Sequence, residues 1–159
     1  MKSLVSAGAI IFRREKEKIY YLLLKYAAIN RVEKSYWGFV KGVVEKGERK
    51  KETILREVYE ETAINDLKFI KGFKITNEYY FKIKNDLYHK KVYYLLAETK
   101  TKKIKLSFEH LDYKWLLYQE AIKKLSFEND KKILEKANEF FRKSLSSSKE
   151  NSKRKSFNI

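Results

Sequence analysis

With 159 residues, 43% hydrophobic and 15% aromatic, the chain can build one domain around a real core and is too short for two. It has no cysteine, which excludes disulfides and thiolate metal sites, and its two histidines are too few for a histidine-based one, so any metal should be hard and held by oxygen. The formal charge of +16 favours anionic partners such as nucleotides, polyphosphates or RNA, although a surface of solvated lysines would give the same figure.

Leu4 to Arg13 is rich in Val, Ile and small residues and predicts a strand, in which Ala7, Gly8 and Ala9 leave room for close packing. The run after Lys2 superficially resembles a signal peptide, but it is short and Arg13-Arg14-Glu15-Lys16 stands where a small-residue cleavage site should be. No segment has about 20 consecutive apolar residues, so no membrane partner is expected and the protein is read as cytoplasmic. Arg13 to Lys18 turns the chain into a second apolar run, Ile19 to Tyr26, and the two predict a hairpin. Ala27 to Ser35 is a polar connection, and Tyr36-Trp37-Gly38-Phe39-Val40 a short aromatic strand.

A glycine-containing loop then leads from Gly42 into a helix that begins near Lys50 to Glu52. Ile54, Leu55, Val58 and Tyr59 give this helix an apolar face, and Glu57, Glu60 and Glu61 lie three and four residues apart on the adjoining one. Carboxylates that close repel one another, which points to a cation; a solvated acidic face is the plain alternative. Leu67 to Thr76, Tyr79 to Ile83 and Lys91 to Glu98 predict three more strands, with a turn at Lys84-Asn85-Asp86. After the basic connector Lys100 to Lys105, Tyr113 to Leu117 predicts a strand and Gln119 to Lys124 a helix. Asp130 to Arg142 predicts a second helix with Ile133, Leu134, Ala137, Phe140 and Phe141 on its apolar face. From Ser144 the chain is rich in Ser, Lys and Asn and is expected to be a basic, disordered tail, which leaves residues 1–143 as the domain. The order β-β-β-loop-α-β-β-β-β-α-α predicts an α/β fold with a mixed sheet flanked by helices.

The spacing Gly-x5-Glu-x7-Arg-Glu-U-x-Glu-Glu, with U apolar, is met by Gly42, Glu48, Arg56, Glu57, Val58, Glu60 and Glu61. Its six fixed positions match by chance at about 5 × 10⁻⁸ per window. The stretch resembles the Nudix box, the signature of enzymes that hydrolyse nucleoside diphosphates linked to another moiety. That resemblance implies an α/β/α sandwich with a mixed sheet, the Nudix fold, and dependence on Mg²⁺ or Mn²⁺. It also implies that Glu57, Glu60 and Glu61 bind the metal, with the main-chain carbonyl of Lys41 as a further ligand, and that Glu48 and Arg56 form an outer pair. A bidentate Arg56–Glu48 contact would hold the loop to the helix in a way lysine could not reproduce. The family has glycine where this chain has Ala63. In the left-handed conformation that normally ends the helix, alanine would cost about 1–2 kcal/mol, so Asn65 is expected to take over the stop.

Outside the box, Ala7 to Arg14, Tyr21 to Leu24, Trp37 to Gly42, Gly72-Phe73-Lys74 and Leu106 to Leu116 resemble asymmetric dinucleoside tetraphosphatases, the diadenosine tetraphosphate hydrolases. This implies a nucleotide polyphosphate substrate, cleaved by in-line attack of water to ATP and AMP, and a monomer or weak dimer. Removal of a 5′ pyrophosphate or cap from RNA, or hydrolysis of another nucleoside diphosphate derivative, is the alternative, and a nucleotide-binding module without turnover a third reading. The resemblance makes Glu109 a further carboxylate, as metal ligand or base. His110 beside it could assist proton transfer, although a structural or surface role is the simpler reading. Lys41 and Lys90 fall near positions that bind the phosphate chain, and Tyr80 and Tyr113, among the candidates Tyr79, Tyr80, Tyr88 and Tyr113, are the expected stacking partners for a base. There are two departures. Val40 stands where proline is usual, which would loosen the loop, and Phe108 where some members have histidine, which would alter the pocket near the metal.

Overall fold

The computed structural model describes residues 1–28 and 34–157, with side chains as far as residue 144, so the connection predicted from 27 to 35 lies partly outside the described residues. Strands β1 (Lys2–Glu15) and β2 (Lys18–Tyr26) make the predicted hairpin. Lys16 and Glu17 turn it at φ values of 49° and 67°, the positive region that a two-residue hairpin loop requires at both positions.

β1 is the axis of a seven-stranded sheet. Along one edge it runs parallel to β6 (Asp86–Glu98), and along the other it is antiparallel to β2 near its C-terminal end and to β4 (Val40–Val43) from Ser6 to Ala9. Beyond the hairpin β2 leaves β1 and pairs with β7 (His110–Leu117) on one side and β3 (Tyr36–Gly38) on the other. The aromatic segment predicted as one strand is therefore two, divided at the buried Phe39 and bridging the gap where β1 and β2 part. Val40 does not loosen it. Unlike proline it keeps its N–H, it pairs with Ala9, and it is buried in the cluster that holds Ile54 and Val58. Gly8 lets β4 come this close, since a Cβ there would fall 2.6 Å from the Val40 carbonyl oxygen.

Alternation along the strands makes two cores. Ile10, Phe12, Tyr21 and Leu23 face α2 (Tyr118–Lys124) and α3 (Glu128–Phe157), packing with Ala121, Leu134, Ala137 and Phe141. Ala7, Ala9, Ile11, Leu22 and Leu24 face α1 (Lys50–Thr62) through Ile54 and Val58. This is the α/β/α sandwich implied by the box. The buried face of α1 is narrower than predicted: Leu55 and Tyr59 are exposed, and the helix docks through Thr53, Ile54, Val58, Glu61 and Thr62. Burying Ile54 and Val58 contributes about 1.5–3 kcal/mol each.

The two strands predicted between residues 67 and 83 are one, β5 (Lys68–Ile83), because Asn77 and Glu78 stay paired with Val92 and Lys91 of β6. The irregularity lies earlier, in a register shift between Phe69 and Lys74, where Gly72 takes φ 97°. α3 runs past the predicted end at Arg142 as far as Phe157, with no glycine or proline to stop it. The expected tail from Ser144 thus continues a helix; its side chains from 145 onward, and residues 158 and 159 altogether, lie outside the described residues. Among the described residues no helix is long and apolar enough to cross a membrane.

The stop of α1 differs from the expected one. Ala63 itself adopts the left-handed conformation, φ 63° and ψ 11°, and its N–H donates to the Tyr59 carbonyl at 2.9 Å. The neighbours fix it there: Thr62 Oγ1 donates to the Val58 carbonyl and accepts from the Ile64 N–H, and Ile64 is buried. Ala63→Gly should therefore raise stability by about 1 kcal/mol, the left-handed strain less the extra entropy of glycine in the unfolded chain. Urea denaturation checks this: the midpoint should rise with an unchanged slope.

Candidate active site

The site begins with Arg56, at the middle of α1. Its Nε and Nη2 donate to the two carboxylate oxygens of Glu48 at 2.8 and 2.9 Å, its Nη1 donates to Glu57 at 2.8 Å, and Nη2 also donates to the Val43 carbonyl at 3.1 Å. The expected bidentate clamp is thus present, and it reaches both the strand and the helix. Glu48 also accepts from the Glu45 N–H and the Thr53 hydroxyl. Arg56 first, then these two donors, hold the Glu48 carboxyl down at about 2.

Glu57 lies against the backbone of β4. A Cβ on Gly42 would fall 2.0 Å from the Glu57 carboxyl carbon, so only glycine at 42 lets this side chain lie where it does. Burial raises the Glu57 carboxyl, with Glu61 and Glu60 pushing the same way and Arg56 opposing. The three box carboxylates do not share one environment. Glu60 is 57% exposed and 3.6 Å from Arg56, at the rim, whereas Glu61 is 7% exposed and turned inward.

Glu61, Glu109 and His110 form a cluster whose ligand atoms lie within 4.8 Å of one another. Two main-chain bonds bring Glu109 there: the N–H groups of Lys105 and Ser107 donate to the Thr62 and Glu61 carbonyls at the open end of α1. His110 is buried, with Nε2 3.2 Å from Glu61 Oε2. That carboxylate oxygen and both imidazole nitrogens have no hydrogen-bond partner among the described residues. Buried polar atoms left unpaired beside an exposed carboxylate suit a bound cation. His110 is therefore part of the cluster, which sequence alone did not place. Phe108, two residues from it, is 96% exposed and shapes no pocket.

Lys41 sits next to Gly42 on β4 and so points to the opposite face. There it enters a cavity of about 440 Å³ lined by Asn77, Tyr79, Phe127, Asn129 and Asp130. Burial lowers the Lys41 ammonium while Asp130 opposes this, and Lys90, facing the same side across from Tyr79, is lowered by burial and by the charge of Lys41. The two lysines are brought together as expected. The two tyrosines are not. Tyr80 is 61% exposed on the other face of β5, its ring 4.8 Å from that of His89. Tyr113 pairs with Leu24 and packs beside the α1 core. Tyr79 takes the cavity position. The alternation of Phe73, Ile75, Asn77, Tyr79 and Phe81 against Lys74, Thr76, Glu78, Tyr80 and Lys82 carries that signal, provided β5 is read as one strand.

The NUDIX domain model matches residues 2–137. The chain belongs to the Nudix family. It is 36% identical to the bis(5′-nucleosyl)-tetraphosphatase [asymmetrical] of Mus musculus over 148 residues, covering 87% of this chain and 95% of that protein, and equally to the one of Sus scrofa. Among solved structures, a C. elegans Ap4A hydrolase binary complex superimposes with a TM-score of 0.74 at 28% identity, covering 87% of this chain and 98% of that one. This Nudix hydrolase therefore has the fold and enzyme class that its box implies.

The Glu48–Arg56 clamp sets a pH dependence. A carboxyl lowered in the folded state stabilises above its unfolded value and loses that contribution as pH falls through its folded one. The stability difference between the parent and Glu48→Gln should thus be full above pH 4.5 and shrink as pH falls toward about 2. Urea melts of both proteins across that range measure it.

Proposed function

We propose that this enzyme hydrolyses dinucleoside polyphosphates, with diadenosine tetraphosphate giving ATP and AMP. The observation that carries the reading is the alternation at Lys41 and Gly42. One residue brings its ammonium to an aromatic-walled cavity and the next lies under Glu57, so a long anion along the edge of β4 left unpaired among the described residues can reach both. The similarity to the mouse and pig tetraphosphatases supports the same class of substrate.

In this reading Tyr79 and Phe127 hold a base, and Lys41 and Lys90 neutralise the phosphate chain where burial leaves few competing waters. A divalent ion, Mg²⁺ or Mn²⁺, would be held by Glu61 and Glu57 with His110 in reach, and would supply positive charge to the phosphate oxygens. Arg56 and Glu48 keep Glu57 in place without touching substrate. Water attacks one phosphorus in line with the leaving oxygen, and Glu109, the solvent-facing carboxylate, accepts its proton.

Purified protein with Mg²⁺ should release ATP and AMP in equal amounts, and Glu61→Gln should lower kcat by about 10²-fold or more. Reaction in ¹⁸O-labelled water should put the label in one product alone. No nucleotide release by the parent protein, or equal rates for parent and Glu61→Gln, would sink the proposal.

A further inference from the structure

Asp130 is a charged residue of the cavity that the reaction above leaves unused. It is 6% exposed, and among the described residues its carboxylate makes no hydrogen bond; only burial, and the charge of Lys41 opposing it, act on its titration. Its place in the first turn of α3 does not explain this. The helix dipole favours an acidic residue there, but an exposed one serves equally, as Glu128 two residues earlier already does. The Asp130 carboxylate instead opens on the space between Lys41 and the rings of Tyr79 and Phe127, where it is largely shielded from bulk water and its acceptor positions are left for a ligand in the cavity.

We propose that Asp130 reads the base. Its carboxylate takes hydrogen bonds from N–H donors on the edge of a purine held by Tyr79 and Phe127, so that guanine is held best, adenine less well and uracil least. The order follows from the donors each base presents. Guanine offers a ring N–H and an amino N–H side by side, matching both carboxylate oxygens. Adenine offers an amino N–H beside a ring lone pair that repels the second oxygen. Uracil has one N–H flanked by two carbonyl oxygens. The inference rests on the proposed function for the base's presence in this cavity.

The test is kcat/KM for diguanosine, diadenosine and diuridine tetraphosphates with the parent protein and Asp130→Asn. The parent should show that order with roughly tenfold per step. Asparagine presents one acceptor and one donor, the pattern that complements adenine, so Asp130→Asn should lower the guanine-to-adenine ratio by about tenfold or more. A purely structural Asp130 would change all three substrates equally, and that result, or equal kcat/KM for all three in the parent, overturns the inference. Competition by GMP, AMP and UMP on the parent protein covers the case of a variant that does not fold: GMP should bind tightest, and equal affinities refute the assignment. If none of the three tetraphosphates is hydrolysed, the proposed function fails, while direct titration of the mononucleotides still decides whether Asp130 selects the base.

Discussion

The Arg56 guanidinium is the contact on which the site depends. It lies within 3.8 Å of carboxylates from Glu45, Glu48, Glu57 and Glu60, one positive charge among four negative ones. Its geometry decides how it is shared. Both oxygens of Glu48 are engaged in the fork, whereas Glu57 receives a single bond, and its carboxyl is still raised by burial. The clamp is therefore mechanical, tying the loop to the helix, and leaves the inner carboxylates under-neutralised. A chain of net charge +16 does not correct that from a distance, because surface charges beyond about 8–10 Å are screened at ordinary ionic strength. The local excess of negative charge is maintained in a basic protein, and a divalent cation is the simplest group to balance it.

The sheet supplies the second constraint. β1 cannot stay paired with both β2 and β4 along one edge, so the sheet parts and β4 is left with β1 as its hydrogen-bonded neighbour. Two glycines make this arrangement possible at close quarters: Gly8 under β4, and Gly42 within it under Glu57. Strand alternation then does the rest. Lys41 and Gly42 serve opposite faces, so the carboxylate cluster lies on the α1 side and the Lys41 cavity on the α3 side, one residue apart in sequence.

What was legible in the sequence follows from the same division. Residues that act through fixed spacing on one element, such as Arg56, Glu57 and Glu61 on α1, could be placed without a structure, since three and four residues set their direction. So could the two-layer core, through apolar alternation in β1 and β2. Residues that meet from distant elements could not. Asp130 and Phe127 reach Lys41 only once α3 is laid on the sheet, and His110 joins Glu61 only through main-chain bonds at the end of α1. Tyr79 and Tyr80 form an intermediate case, because a strand broken at residue 76 loses the phase that assigns each to its face. Leu55 and Tyr59 erred the other way: their apolarity suggested burial, but the sheet covers only the stripe through Ile54 and Val58.

Ala63 shows how firmly the catalytic side is held by main chain. An alanine at φ 63° retains about 1–2 kcal/mol of strain, and such strain persists only where the surroundings over-determine the conformation. Here the Tyr59 carbonyl fixes its N–H, the Thr62 hydroxyl fixes the next amide, and the buried Ile64 fixes the direction of exit. The carbonyls of Glu61 and Thr62, left open by the end of the helix, are then occupied by the segment that carries Glu109. The spacing between Glu61 and Glu109 is thus set by backbone bonds and is insensitive to which residue ends the helix. Substrate choice has no such anchor. In the reading proposed above it rests on side chains across β4, where Asp130, a carboxylate without a hydrogen bond among the described residues, selects the base.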